Sequence, residues 1–148
     1  NGLMEIKCDF TSPGFTMILH RTTRCLSTDF NRTKHIYSSG FGQRFGNYWL
    51  GLQNIFELIQ IEEHEYHIRA VKTTEEIEEC TYSTFKIENA SANYVIDLGT
   101  YKRPPGGLPL GDSMSLSNYN INGKPFSTYD RDFSGGCPAD RKGGGWWY

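Results

Sequence analysis

Short apolar runs separated by turn residues predict a chain built mainly from β-strands. Alternating apolar and polar positions over Met4 to Phe10 meet the turn signal Ser12-Pro13-Gly14, and a predicted buried strand over Phe15 to Arg21 follows. Because two such runs around a tight turn form a hairpin, we expect an N-terminal β-hairpin. Further strands are expected in a mainly antiparallel arrangement over three segments: Tyr66 to Val71, Thr81 to Ile87 and Tyr94 to Leu98.

Two segments have the features of short helices. Asp29 is a suitable N-cap for a helix that ends near Ser38. A second helix is expected to start at Gln53 or Asn54, because apolar side chains follow at helical spacing: Ile55, Leu58 and Ile59.

Two other stretches are expected to lack regular structure. The acidic run Glu75 to Glu79 is typical of a solvated turn. From Tyr101 onward, proline, glycine and asparagine dominate the sequence and favour irregular loops. A long irregular segment within a compact domain is usually functional or supported by a metal.

Composition and charge narrow the classes of function. The chain has 148 residues and a net charge of −2, which predicts one domain over 1–148 without the basic stripe that nucleic-acid binding needs. The longest apolar run, Phe15 to Leu19, is too short to cross a membrane. His64 and His67 are three residues apart on a predicted strand, whereas a zincin needs a spacing of four on a helix. We expect no enzyme activity.

Cysteines and sequons favour an extracellular location. The four cysteines (Cys8, Cys25, Cys80 and Cys137) form no CxxC pair, so they are either disulfide-bonded or buried thiols. Asn31-Arg32-Thr33 and Asn89-Ala90-Ser91 are acceptor triplets for N-glycosylation at Asn31 and Asn89.

The last 23 residues concentrate the candidate chemistry. Asp130 and Asp132 can turn two carboxylates toward a hard cation such as calcium, or they can be solvated side chains of a surface turn. Trp146-Trp147-Tyr148 can contact a ligand, or can be a strand with at least one tryptophan in the core.

Several segments, taken in order, resemble the fibrinogen C-terminal-like domain. The most specific is Phe126 to Asp132 (FSTYDRD), followed by a cysteine and by Gly144 to Tyr148 (GGWWY). The others extend the resemblance over nearly the whole chain: Cys8 to Phe10, Phe15 to Arg21, Asp29 to Arg32, Ser39 to Gly42, Tyr48 to Leu52, Tyr82 to Lys86 and Tyr94 to Gly99.

The resemblance implies an α+β fold, with a central twisted, mainly antiparallel sheet flanked by short helices and a loop-rich C-terminal calcium and ligand region. It implies a secreted recognition domain without catalysis. Carried over, the calcium ligands are the carboxylates of Asp130 and Asp132 and the carbonyls of Phe133 and Gly135. The ligand-binding residues are Gly136, Cys137, Trp146, Trp147 and Tyr148.

The chain also departs from the family pattern. The step from Asp130 to Cys137 is only seven residues and lacks a third Asp, which should weaken calcium binding. The family sequence continues beyond the WWY segment, so the domain is expected to be truncated before the end of its ligand-binding subdomain. Cys25 and Cys80 lie outside the family's common cysteine positions, and we expect them to pair with each other.

The resemblance implies two kinds of partner. The first hypothesis is a lectin of innate immunity that binds acetylated sugars or pathogen glycans. The alternative is a receptor- or protein-binding module of the angiopoietin-like or clotting type without a working calcium site, which the shortened loop favours. In either case, we expect oligomerisation through regions outside this chain to supply avidity.

Overall fold

The computed structural model describes residues 6–10, 14–23, 27–43, 45–104, 108–136 and 144–148. Part of the predicted hairpin turn, Cys25 and Cys137 lie outside these ranges. The chain divides into two compact units, the first formed by residues 1–58 and 127–146 and the second by residues 59–126 and 147–148. The prediction of one domain, truncated before the end of its ligand-binding subdomain, stays a prediction.

Among the residues that the structure describes, the first unit contains two small sheets, two helices and the segment 127–136. Strands β1 (Lys7–Asp9) and β2 (Phe15–Met17) pair antiparallel and confirm the expected hairpin. The other sheet contains β3 (Leu19–His20), β4 (Phe41–Gly42) and β5 (Tyr48–Trp49), with β5 in the middle and antiparallel to both neighbours.

Both helices of the first unit begin at residues other than those predicted. Helix α1 spans Lys34–Ser39 and is capped by Thr33, whose hydroxyl accepts a hydrogen bond from the Ile36 amide. The Asp29 carboxylate instead accepts from the Asn31 amide, so it closes a local turn before the helix. Helix α2 spans Leu52–Leu58, because its apolar face already begins within the Tyr48 to Leu52 segment.

The core of the first unit is aromatic. The Tyr37 ring packs edge-on against Phe41 and Trp49, with centroids 5.1 and 5.6 Å away. The Trp49 indole donates to the Tyr37 carbonyl at 2.8 Å, and the Tyr37 hydroxyl donates to the Phe30 carbonyl at 2.7 Å. The two buried polar groups are therefore satisfied by backbone acceptors, and α1 is fastened to β5.

The second unit is mainly a β-structure. Its strands are β6 (Tyr66–Val71), β7 (Ile77–Tyr82), β8 (Phe85–Ile87), β9 (Ile96–Leu98), β10 (Tyr101–Lys102) and β11 (Leu108–Pro109). Strand β7 pairs antiparallel with β6 and β10 and parallel with β11, and β8 pairs antiparallel with β9. The predicted strand over Tyr66 to Val71 is confirmed.

The acidic segment differs from the prediction. Glu78 and Glu79 lie in β7 and are not part of a solvated turn. Cations in and directly after β6 make this possible, because Arg69 of β6 lies 3.5 Å from the Glu79 carboxylate and Lys72, the residue after β6, lies 2.6 Å from that of Glu78. A strand can carry like charges when opposite charges face them.

The expected end of regular structure at Tyr101 was also wrong, since β10 and β11 follow it and add to β7. In the part of the chain that the structure describes, several short sheets with two short helices and one 3-10 turn confirm the α+β class. Within the described ranges, no helix is long and apolar enough to cross a membrane.

Candidate functional site

The candidate site is the loop of residues 127–136, which we call the aspartate loop. It begins where Ser127 forms an antiparallel bridge with Trp146, with reciprocal amide-to-carbonyl bonds of 2.9 and 3.0 Å. Thr128 and Arg131 then exchange backbone hydrogen bonds of 3.0 and 3.1 Å. This closes a tight turn with Tyr129 and Asp130 at its tip, while Ser127 and Thr128 are buried beneath it.

Asp130 fastens this turn to the start of α1. Its Oδ1 accepts hydrogen bonds from the Lys34 amide at 2.9 Å and from the Thr128 hydroxyl at 2.7 Å. Lys34 is the first helical residue, and its amide has no partner within the helix, so the carboxylate satisfies a donor that would otherwise need water. Lys34 and Thr128 were not among the predicted site residues. The Thr-x-Asp spacing could have indicated the contact between Thr128 and Asp130. No local pattern could have indicated Lys34, because it lies 96 residues from Asp130 in sequence.

Asp132 organises the second half of the loop. Its Oδ1 accepts from the Ser134 amide at 2.7 Å and from the Ser134 hydroxyl at 2.6 Å, and its Oδ2 accepts from the Gly136 amide. These hydrogen bonds favour the carboxylate form and hold the pKa of Asp132 below its usual value. Gly135 and Gly136 both have positive φ, which lets the backbone curl around this carboxylate.

Two aromatic side chains of the aspartate loop face solvent. Tyr129 is 50 % exposed and Phe133 is 45 % exposed. The Lys34 ammonium lies 5.9 Å from the centroid of the Phe133 ring, within the range of a cation–π contact. Burial and the nearby Arg131 charge lower the pKa of Lys34 to about 8, against the opposing effect of Asp130. The loop thus offers exposed rings beside a cation.

The predicted calcium ligands lie in this loop, but their oxygens are already engaged. Both oxygens of Asp132 and one of Asp130 accept hydrogen bonds from the chain itself. Within the described ranges, no three His, Cys, Asp or Glu side chains group closely enough to hold a metal. This conformation does not offer calcium a free set of ligands. Calcium binding by Asp130, Asp132, Phe133 and Gly135 stays a prediction.

The predicted ligand-binding residues divide between the two units and differ in their exposure. Gly136 and Trp146 are half-buried in the first unit, and Cys137 lies outside the described residues. Trp147 is 2 % exposed and belongs to the second unit, where its ring packs edge-on against Phe126 and its indole donates to the Tyr94 carbonyl at 2.7 Å. Trp147 is therefore a core residue, the other role that the sequence left open. Tyr148 is half-buried.

The predicted Cys25–Cys80 bridge stays a prediction. Cys80 is a fully buried free thiol on β7, and Cys25 lies outside the described residues. Cys8 is a half-buried free thiol on β1. The acceptor asparagines of the two sequons, Asn31 and Asn89, are both exposed.

Comparison with known proteins agrees with this architecture. The family model described as the C-terminal globular domain of fibrinogen beta and gamma chains matches residues 2–148. The chain belongs to this family, as the sequence resemblance predicted.

Among its relatives is mouse angiopoietin-related protein 1, which is 38 % identical over the whole of this chain and 29 % of the relative. The fibrinogen-like globe domain of human ANGPTL2 superimposes with a TM-score of 0.85 and 35 % identity, covering all of this chain and 65 % of that structure. Lamprey fibrin D-dimer, in complex with the peptide Gly-His-Arg-Pro-amide, has a TM-score of 0.77 and 27 % identity, with coverage of 96 % and 48 %. The chain thus spans less than a third of the curated relative and about half to two thirds of these structures.

Proposed function

We propose that this chain is part of a secreted, non-enzymatic recognition domain that binds a protein ligand through the aspartate loop. The observation that carries the proposal is the pair of half-exposed aromatic rings, Tyr129 and Phe133, on a loop held by its own hydrogen bonds. Aromatic side chains are frequent anchors of protein interfaces. A loop that is ordered before binding loses little conformational entropy when a partner docks.

The charge around these rings supports a polar protein partner. The Lys34 ammonium lies over the Phe133 ring, and the charge of Arg131 is close enough to help lower the pKa of Lys34. A partner segment with carboxylate groups beside an apolar side chain would match this combination of cations and rings. Calcium has no part in this proposal, because hydrogen bonds within the chain already hold the carboxylates of the loop.

The relatives support the same class of function. Fibrin D-dimer of lamprey is described in complex with a short peptide, and other matches are angiopoietin-related proteins. This favours a receptor- or protein-binding module over an enzyme. Oligomerisation through regions outside this chain would add avidity to a weak single contact.

A second candidate function is binding of acetylated sugars or pathogen glycans, and one feature of the second unit favours it. An open depression of about 540 Å³ presents hydroxyl, amide and carboxylate groups, which suit sugar hydroxyls, beside apolar surface of similar extent. Its lining residues are Leu98, Gly99, Thr100, Tyr101, Asp112, Ser115, Asn120 and Asn122. Its carboxylate, however, already accepts from the Tyr82 and Ser115 hydroxyls and from the Met114 and Ser115 amides. Protein binding is therefore the leading proposal.

Binding to intact cultured cells tests the proposal. Fluorescently labelled chain would be titrated onto cells, onto cells pretreated with trypsin, and onto cells treated with glycosidases. We expect saturable binding that trypsin abolishes and glycosidases leave unchanged. The double variant Tyr129→Ala/Phe133→Ala should weaken binding at least about thirtyfold, since loss of interface anchors typically costs about 2 kcal/mol or more.

The control is Leu116→Ala, which removes an apolar side chain that is 53 % exposed in the second unit and should bind as wild type does. Equal binding by wild type and the double variant would refute the role of the aspartate loop. Binding that survives trypsin but not glycosidases, together with retention of acetylated sugars on a glycan array, would favour the lectin function instead.

A further inference from the structure

The connection between β8 and β9 contains the Asn89-Ala90-Ser91 triplet. A single 3-10 turn over Ala90–Ala92 makes this connection, and Asn89 is its N-cap with extended backbone angles. The turn closes with Asn93 and Tyr94 in the left-handed conformation. Asn89 is exposed, so the triplet is displayed at the surface on a turn with defined geometry.

The two ends of the Asn89 side chain have separate roles. Its Oδ1 accepts hydrogen bonds from the Ala92 amide at 3.1 Å and from the Ser91 hydroxyl at 2.6 Å, as an N-cap does. Its Nδ2 donates to no group in the described part of the chain. An N-linked glycan joins asparagine at Nδ2 and leaves the carbonyl oxygen in place. The capping bonds and a glycan are therefore compatible on the same residue.

We propose that Asn89 is an N-glycosylation site and that its turn accepts the glycan without losing the helix cap. The proposal rests on the secreted location in the proposed function, because the donor is a lipid-linked oligosaccharide pyrophosphate of the secretory pathway. A bond forms between Nδ2 and C1 of the first sugar, while the bond from C1 to the pyrophosphate oxygen breaks. The pyrophosphate leaves with the bonding electron pair, and the amide nitrogen gives up one proton.

The other sequon has a different setting. In Asn31-Arg32-Thr33, the Thr33 hydroxyl accepts from the Ile36 amide as the cap of α1, and the next residue, Lys34, donates its amide to Asp130 of the aspartate loop. A glycan on Asn31 would stand close to the candidate binding surface. Asn31→Asp removes this acceptor, so that any remaining glycan reports on Asn89 alone.

The experiment follows the glycan by mass spectrometry. The full chain with Asn31→Asp is expressed in human cells behind a cleavable secretion leader, and the secreted protein is treated with peptide-N-glycosidase in heavy-oxygen water. This enzyme converts a glycosylated asparagine to labelled aspartate. We expect the label at Asn89 in this parent and in its Ser91→Thr variant, and its loss in Asn89→Asp and in Ser91→Ala.

The variants separate glycosylation from folding. Asn89→Asp keeps a side-chain acceptor for the Ala92 amide, so its circular dichroism and its cell binding should equal those of the parent. Secreted parent that carries no label at Asn89, in cells that glycosylate a co-expressed control protein, would overturn the proposal. A labelled chain that binds no cells would contradict only the proposed function.

Discussion

Gly51 offers a sharp test of the packing that positions the aspartate loop. It precedes α2 and has a φ of +104°, and a Cβ at this position would lie 2.7 Å from the Gly40 nitrogen, 2.8 Å from the Ser39 carbonyl carbon and 2.9 Å from the Ser38 oxygen. All three atoms are backbone atoms at the C-terminal end of α1. They cannot rotate away as a flexible side chain would, so Gly51→Ala must displace one segment from the other.

The expected destabilisation of Gly51→Ala has two parts. Placing an L-residue at positive φ costs about 1–2 kcal/mol. Forcing a methyl group into closely packed backbone costs about 1–3 kcal/mol more. The sum is roughly 2–5 kcal/mol, a large fraction of the 5–15 kcal/mol by which domains are usually stable.

Substitutions at two other glycines separate the cost of positive φ from the cost of the steric clash. Gly123 has a φ of +75° with nothing within 4 Å of an added Cβ, so Gly123→Ala should lose only about 1–2 kcal/mol. Gly111 has open space and no positive φ, so Gly111→Ala should be neutral or stabilise by up to about 1 kcal/mol.

Urea unfolding, followed by tryptophan fluorescence and circular dichroism, measures the series. The midpoints should rank in the order Gly111→Ala, Gly123→Ala and Gly51→Ala, from most to least stable. If Gly51→Ala were no less stable than Gly123→Ala, the close approach of α1 and the segment before α2 would be wrong. A changed denaturant slope would instead point to an altered unfolded state.

Two further predictions concern single titrating groups. The pKa of Lys34, about 8 because of burial and Arg131, lies below its usual 10.5, so the contribution of this group to stability should rise as the pH increases from about 8 to 10.5. An NMR titration of methylated lysines should locate this pKa and find it higher in Arg131→Ala; a value near 10.5 in wild type would contradict the burial of the amine. Cys80 should resist iodoacetamide in the native chain, because it is fully buried and burial raises the pKa of its thiol. Rapid native alkylation would refute its burial. A need for reductant after denaturation would show that Cys80 is disulfide-bonded, and peptide mapping without reductant would then test Cys25 as its partner.

Local patterns predicted the elements whose signals are contiguous. The N-terminal hairpin and the strand at Tyr66 to Val71 were predicted correctly. Short apolar or alternating segments bounded by turn residues are typical of strands. The helix boundaries were less predictable, because Asp29 and Thr33 are both competent caps. In the structure, Thr33 caps α1, and the Asp29 carboxylate accepts a hydrogen bond from the Asn31 amide.

The acidic strand shows where local patterns fail. Glu78 and Glu79 favour a turn when considered alone, but Arg69 on the neighbouring strand β6 and Lys72 directly after that strand neutralise them. Cross-strand neighbours depend on register, and register is a property of the paired strands.

The aspartate loop shows both what the sequence determined and what required the tertiary structure. The sequence by itself determined the family, since FSTYDRD and GGWWY are contiguous motifs, and it placed the candidate chemistry in this loop. Only the tertiary structure decided which groups contact these side chains and which of them are buried. It brought Lys34 to Asp130 across 96 residues, and it placed Trp147 in the core. The physical reason is that hydrogen bonding and burial depend on groups that chain folding brings together, whereas a motif records only neighbours along the chain.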